Sequence, residues 1–436
     1  MHLYMSGTPR NDPYQTVENR MCTHRLFSMH GSYEGAVMRW LTDIKSGILD
    51  AEAYLKAYPK NNDAIRQRDE KRRIEQKLKG RNVDWDTPEV LENVCKRLDG
   101  RPHPKAILLD SGAFTGWNKG EATSVDDVLR KYSSFINMAG DQFDEIWGIN
   151  LDVIPGERGR DPTPKELDDA VRVSDINFEI LVKEFGDIIL PVFHQGETPE
   201  RLDECVGQVA GKSNYICVSP RNDLAETLRV KWSRDCHGIL TDKYPDIMTH
   251  GLATTGNRMV RTVPWYSGDS AAWVQHGGFG MIDIFHEQEM SAGRKNNPHY
   301  MNYFTSLEGT EFDLGLPFLQ KDGTRKSAID LGFNPSDYGV SKPFPGDVLL
   351  PYVDSPDHLP LIGAHTNDKS KHYLTLSDEH QTFVRQRVEA LGFPFEMAVW
   401  DSRVRNLICM AEFVAFAEWA ESAEPDPAQM FLFGGL

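Results

Sequence analysis

Residues 105–120 read KAILLDSGAFTGWNKG, an apolar run that drives straight into Asp110 and then a Ser-Gly pair. An apolar run bounded by turn formers is the mark of a buried strand. This strand ends on a carboxylate, with small residues and an aromatic directly behind it. A single acid in that place carries little, because an Asp after a strand is more often a helix cap or turn former than a catalyst. Its meaning depends on whether other strands end in the same way.

With residues 34–100 set aside as a helical insertion, eight short β-rich runs bounded by Gly, Pro, Asn and Asp remain. They are HLYMSG (2–7), HRLFSMHG (24–31), AILLDSGAF (106–114), EIWGINLDV (145–153), DIILPVFHQGE (187–197), NYICVSP (214–220), DIMTHGLATTG (246–256) and VPWYSGDSAAW (263–273). Helix-compatible segments separate most of them, among them SVDDVLRKYSSFINMAG (124–140) and TPKELDDAVRVSDINFEILVKEFG (163–186). Such alternation implies βαβ crossovers and a parallel sheet. The expected fold is therefore α/β, a (β/α)8 TIM-type barrel over 1–275, with a mixed, largely helical C-terminal extension over 276–436. Barrels of this type build their active sites at the C-terminal strand ends. There the chain places Asp110, Asp152, His194 with Gln195 and Glu197, His250, and Asp269. Five strands ending on such groups shift the balance from turn chemistry toward a site.

Composition bounds the class. A chain of 436 residues, 40% hydrophobic and 26% charged, suits one large globular domain with additions, or two domains. No stretch approaches the roughly 18–20 apolar residues of a membrane span, and MHLYMSGTPR lacks the charged start and apolar middle of a signal peptide. A cytoplasmic protein without a membrane partner is expected. The six cysteines, Cys22, Cys95, Cys205, Cys217, Cys236 and Cys409, form no C-x-x-C pair and read as reduced core thiols. A formal charge of -17 excludes a surface coated with phosphate-binding residues, so any nucleic-acid surface must be local. The candidate is RQRDEKRRIEQKLKGR (66–81), with eight basic and three acidic residues, notably Arg66, Arg68, Arg72, Arg73 and Lys77. A solvated helical hairpin laced with i,i+4 ion pairs is the equal alternative.

Two chemistries suit the ring of strand-end residues. Metal-dependent hydrolysis uses His and Asp to bind an ion that activates water. Its ligand spacing is poor here: there is no H-x-H on an early strand and no H-E-x-x-H. Glycosidic chemistry needs a carboxylate nucleophile and a carboxyl acid/base whose environments push their pKa values apart. Asp110 and Asp269 can supply that pair.

From Leu108 to Trp273 the chain resembles the queuine and tRNA-guanine transglycosylases, most closely the phage branch that inserts 7-deazaguanines into DNA. DSGAFT (110–115) is similar to the family's D-S-G-G-F-Q stretch, HQGE (194–197) to V-Q-G-G, and HGLATTG (250–256) to H-Y-L-M-G-V-G. YSGDSAAW (266–273) stands where the family carries its nucleophilic aspartate. The resemblance implies that Asp269 is the nucleophile and that Asp110 handles protons on the departing and incoming base. It further implies that Asp152 reads the amino and ring N–H groups of the purine, as an acceptor-only carboxylate can. Gln195 would read the carbonyl edge, the backbone around Val218 and Ser219 would add hydrogen bonds, and Gly251 would let the chain approach the base. Phe114 reads first as a core residue and second as a stacking face for that base. His194 and His250 read as supporting or structural residues. DNA, guanine and 7-cyano-7-deazaguanine are the implied partners. The deazaguanine is a substrate, and no cofactor or metal is implied.

The departures are equally informative. The tRNA enzymes follow their nucleophile with a C-x-C-x-x-C plus His zinc site, whereas only Cys409 follows Asp269 here. Asp283, His286, Glu287 and His299 are a weaker set of ion ligands in a turn-rich stretch. Loss of the zinc element favours DNA over tRNA within the resemblance. Beyond 276, PFPGDVLLPYVDSPDHLPLIG (343–363) reads as loop, while SDEHQTFVRQRVEALG (377–392) and SRVRNLICMAEFVAFAEWAES (402–422) read as amphipathic helices. The last of these is expected to pack on the barrel or on a second copy of the chain, and AEPDPAQMFLFGGL (423–436) to dock on the body.

Overall fold

A computed structural model describes residues 1–10, 12–78, 85–98, 103–121, 123–156, 159–278, 281–285, 300–304, 318–319, 325–326 and 378–422. Nine strand segments form one sheet. They are β1 (His2–Ser6), β2 (His24–Ser28), β3 (Ala106–Asp110), β4 (Glu145–Ile149), β5 (Ile189–Leu190), β6 (Val192–His194), β7 (Tyr215–Ser219), β8 (Met248–Gly251) and β9 (Ser267–Ser270). Their order is β5-β4-β3-β2-β1-β9-β8-β7-β6, and every neighbouring pair is parallel. The two ends of that order, β5 and β6, are separated by Pro191 alone. The sheet is thus a nearly closed barrel, consistent with the (β/α)8 expectation.

The expected fifth strand is split for a local reason. Proline has no N–H to give to a ladder and settles at strand breaks. Before Pro191 the run pairs with β4, where the Asn150 N–H donates to the Leu190 carbonyl at 3.0 Å. After it the run pairs with β7, and the Pro191 carbonyl itself accepts from the Cys217 N–H at 2.9 Å.

Alternation along the strands sorts side chains into two cores, as a period of two requires. Leu26, Leu108, Ile149, Leu190, Val192, Tyr215 and Cys217 pack with Tyr4 inside the barrel. Phe27, Ile107, Leu109, Phe193, Ile216 and Val218 pack outward against the helices. Tyr132, fully buried in helix 125–139, places its hydroxyl 2.8 Å from the carbonyls of both Leu109 and Ile149, tying the ends of β3 and β4 together. Tyr132→Phe is expected to lower unfolding stability by about 1–2 kcal/mol, since it leaves two buried carbonyls with no hydroxyl donor. Urea melts of the two proteins read this directly, and an unchanged midpoint would show that the carbonyls find other donors.

The chain divides into two compact units. One comprises Met1–Pro59, Leu98–Ala271 and the chain from Val414; the other comprises Lys60–Arg97 and Ala272–Phe413. The expected insertion at 34–100 therefore divides at Pro59. Helix Glu34–Lys45 contributes Val37, Trp40, Leu41 and Ile44 to the outer barrel core, with Trp40 stacked on Phe143 at 5.8 Å. It is the helix of the second repeat, and the inserted element begins after it. In the second unit, Asp69 accepts from both the N–H and the hydroxyl of Thr87, joining helix Pro59–Leu78 to helix Thr87–Arg97. The two helices expected near the C-terminus form at Asp378–Ala390 and Ser402–Ser422. In the latter, the fully buried Arg405 donates to the carbonyls of Gly277, Ala398 and Val399. Residues 343–363 and 423–436 lie outside the described residues. All six cysteines are buried, and none is in a disulfide. Among the described residues, no helix is long and apolar enough to cross a membrane.

Candidate active site

Parallel strands bring all their C-terminal ends to one mouth, and parity decides which side chains enter it. Asp110 continues the inward series of Leu108, His194 that of Val192, and Ser219 that of Cys217. His250 and Asp269 reach the same mouth from β8 and β9, joined at 3.5 Å between His250 Nε2 and Asp269 Oδ1.

Asp110 is held by its own turn. Its Oδ1 accepts from the Gly112 N–H at 3.2 Å, and its main-chain carbonyl accepts from Met29 N–H at 2.8 Å. Gly112 is required there: φ is +82°, and a side chain would meet the His30 backbone at 3.3 Å. Burial raises the Asp110 carboxyl to about 6; hydrogen bonds from Gly112 and Ser28 oppose the rise, while the charges of Asp152 and Asp269 add to it. The three carboxylates thus act on one another at the mouth.

His194 is almost fully buried between two acids. Its Nε2 lies 2.9 Å from Asp152 Oδ2 and its Nδ1 3.6 Å from Glu197 Oε1, while its backbone N–H donates to Glu197 Oε2 at 3.0 Å. Burial lowers the imidazole's proton affinity, but the hydrogen bonds and charges of Asp152 and Glu197 more than offset it, raising the pKa to about 10. His194 is therefore an imidazolium at neutral pH, which commits Asp152 Oδ2 and leaves Oδ1 as that residue's remaining acceptor.

Beside this cluster opens a cavity of about 460 Å³ lined in part by His194, Gln195 and Ser219. Its walls include Phe114, Trp117, Ile154 and Pro155, with Arg160, Arg221 and Asp223 at the rim. A concave, mostly apolar space with a few convergent polar groups is the usual form of a small-molecule site. Phe114 is 47% exposed and stacks on Trp117 at 6.1 Å, so it is a wall of this cavity and not a core residue. Gln195 Oε1 accepts from the Arg221 N–H at 3.0 Å, which leaves the amide NH2 as the group free to donate. The rim arginines are neutralised. Arg221 pairs with Asp161 and Asp223, and Arg160 pairs with Glu166. They tie the loop after β4 to the loop after β7, a role that no spacing in the sequence announces. Trp117, whose indole donates to the Gly156 carbonyl at 3.2 Å, was equally silent.

Three of the expected base-contact residues have intrachain partners. The Val218 side chain packs outward in the helix-facing core, and its carbonyl accepts from the Leu252 N–H at 3.0 Å. At Gly251, an added Cβ would lie 2.1 Å from Thr254 Oγ1, so the close approach this glycine permits is to Thr254, within the chain itself. Asp152 does not line the cavity and reaches it through His194.

The basic segment forms helix Pro59–Leu78 in the second unit, with Arg66 3.6 Å from Asp86 and Arg68 3.4 Å from Asp401. Arg72, Arg73 and Lys77 lie on the same helix. Part of the charge is thus spent on intrachain ion pairs, to residues outside the helix and not at the i,i+4 spacing of the hairpin alternative. Of the weaker ion ligands, Asp283 is fully buried and 2.6 Å from His276 Nδ1, while His286, Glu287 and His299 lie outside the described residues. Among the described residues, no group of three or more His, Cys, Asp or Glu side chains is placed to hold a metal ion. No family model matches the chain, and no curated protein matches it.

Proposed function

We propose that this chain is a base-exchange transglycosylase that replaces guanine in DNA with a 7-deazaguanine, 7-cyano-7-deazaguanine being the implied base. The observation that carries the reading is Asp110, its carboxyl raised to about 6 by burial with the charges of Asp152 and Asp269 adding to the rise, at a barrel end that also carries a cavity walled by Phe114 and Trp117. A pair such as Asp110 and Asp269 separates an acid from a nucleophile. The motifs that resemble the transglycosylases supply the substrate class and the finer (β/α)8 assignment.

In this mechanism Asp269 attacks C1′ of the target nucleotide, where oxocarbenium character develops, and the C1′–N9 bond breaks. Protonated Asp110 gives its proton to the departing guanine. The 7-deazaguanine then surrenders its ring N–H proton to Asp110 and displaces Asp269 from C1′, so two inversions give net retention. Phe114 and Trp117 stack on the base and the Gln195 amide donates to its carbonyl edge. The His194 imidazolium fixes Asp152 and places positive charge near the leaving purine. Water must be kept from the intermediate, and a base inside a duplex must be flipped out at a cost of a few kcal/mol.

The test offers labelled guanine or 7-cyano-7-deazaguanine with double-stranded DNA, single-stranded DNA and bulk tRNA in parallel. Label in DNA is the expected result. Label confined to tRNA would keep the chemistry and change the polymer. Label in none, with a tightly bound ion required for some hydrolytic turnover, would overturn the reading in favour of a metal-dependent hydrolase.

A further inference from the structure

Behind Asp269 lies a buried polar chain that the proposed mechanism does not use. Tyr215, His250 and Ser267 are fully buried on the inner face of the barrel. The Tyr215 hydroxyl lies 2.5 Å from Ser267 Oγ, and His250 Nδ1 lies 2.7 Å from the same oxygen. The imidazole is held edge-on to the Tyr4 ring at 5.6 Å. His250 Nε2 has no hydrogen-bond partner among the described residues and faces Asp269 Oδ1 at 3.5 Å. An orphaned nitrogen in so apolar a place requires an explanation.

We infer that His250 is a positioning residue for Asp269, with Tyr215 and Ser267 fixing its tautomer so that Nε2 carries the proton. The inference rests on the reading of Asp269 as the nucleophile. Hydrogen counting gives the direction. Among the described residues the Tyr215 hydroxyl has Ser267 as its only hydrogen-bond partner, so it donates to Oγ. The single Ser267 hydrogen then goes to His250 Nδ1, which must accept, and the ring proton sits on Nε2 toward the carboxylate. The reverse order would set a nitrogen lone pair against a carboxylate oxygen and, with Oγ accepting from both neighbours, leave the buried Ser267 hydrogen without an acceptor among the described residues.

The same carboxylate oxygen, Oδ1, also accepts from the Ala253 N–H at 2.7 Å. Ala253 adopts φ +52°, a left-handed conformation uncommon for a residue with a Cβ, and this turn delivers its N–H to Asp269. Both donors fall on Oδ1, so Oδ2 is the oxygen left to attack C1′. Backbone and imidazole together hold the aspartate in one rotamer, as an aspartate holds the histidine of a hydrolase triad in one orientation.

The experiment has two readouts. Long-range 15N–1H NMR of protein labelled at histidine nitrogens, with His250 assigned through H250Q, should show the Nε2–H tautomer in the wild type and a shift toward Nδ1–H in S267A. An Nδ1–H tautomer in the wild type, or no response to S267A, would overturn the relay whether or not the chain has activity. Single-turnover formation of the protein–DNA adduct should slow on the order of tenfold in S267A and Y215F, the loss expected when a hydrogen bond to a charged group is weakened. Each variant's thermal melt is recorded alongside, so that slowing is compared among folded proteins. Wild-type rates in both folded variants, with the adduct still dependent on Asp269, would defeat the relay and spare the nucleophile. An adduct that persists in D269N would defeat the nucleophile assignment itself.

Discussion

Asp269→Asn is expected to abolish the denaturation-resistant protein–DNA adduct and to lower base exchange by at least about 10³-fold, because removal of a covalent nucleophile leaves only binding and electrostatic contributions. The amide is isosteric with the carboxylate. Its oxygen can still accept from the Ala253 N–H that now bonds Oδ1 at 2.7 Å, and its NH2 would replace Oδ2, which has no donor among the described residues. Fold and stability should therefore change little, by less than about 1 kcal/mol. Adduct capture on a denaturing gel, followed by exchange kinetics with labelled base, measures the loss, and circular dichroism confirms the fold. Exchange at near wild-type rate in a folded D269N protein would remove Asp269 from the mechanism.

The second large effect lies at Asp110 and has two parts of opposite sign. Asp110→Asn should lower exchange by about 10²- to 10⁴-fold, the usual contribution of a positioned acid/base. The same change should stabilise the fold at alkaline pH. The folded-state carboxyl is raised to about 6, chiefly by burial, whereas the unfolded chain titrates near ~3.9. Between those values the folded state holds more protons than the unfolded one. The contribution to stability is thus fully present below ~4 and is lost as pH rises through 6. A shift of this size corresponds to about 3 kcal/mol by pH 8, reduced to about 2 kcal/mol because the carboxyl keeps partial access to solvent at the mouth. Asparagine removes the desolvated charge while retaining an acceptor for the Gly112 N–H. Urea melts at pH 4.5 and pH 8 should show wild type and variant converging at the lower pH and separating at the higher. Parallel curves at both would mean that Asp110 is not held protonated in the folded protein.

Much of the scaffold was legible because its causes are local. Alternation in AILLD (106–110) and YICVS (215–219) predicts which residues face the barrel axis, and the structure sorts Leu108 and Cys217 from Ile107 and Val218 in that way. Thr163 before the helix Pro164–Phe185 forms a capping box with Glu166, a pairing written in three residues of sequence. The expected runs at 106–114 and 263–273 overshoot into the helices Ala113–Lys119 and Ala272–Gly278, and the break of the fifth run at Pro191 is also local. A proline inside an apolar run marks a broken ladder, and the break is where β4 and β7 take opposite halves of one strand.

The limits of the helical stretch at 34–100 were not legible, because helix Glu34–Lys45 and helix Pro59–Leu78 differ in what they pack against more than in their periodicity. Phe114 was misjudged for the same reason. Aromatic residues after a strand are usually core, and only the positions of Trp117 and Ile154 make this one a cavity wall.

The sequence by itself determined the parallel strand–helix repeat, the identity of the groups at the strand ends and the side of each strand on which they stand, because alternation and turn chemistry act over a few residues. Tertiary structure alone decided what those groups are. Strands separated by tens of residues must close into a ring before Asp152 and Glu197 can turn His194 into an imidazolium, and before burial beside two other carboxylates can lift Asp110 toward neutrality. Ser267 must likewise lie between Tyr215 and His250 for a tautomer to be fixed. Charge state depends on distance and desolvation, and neither exists until the chain is folded.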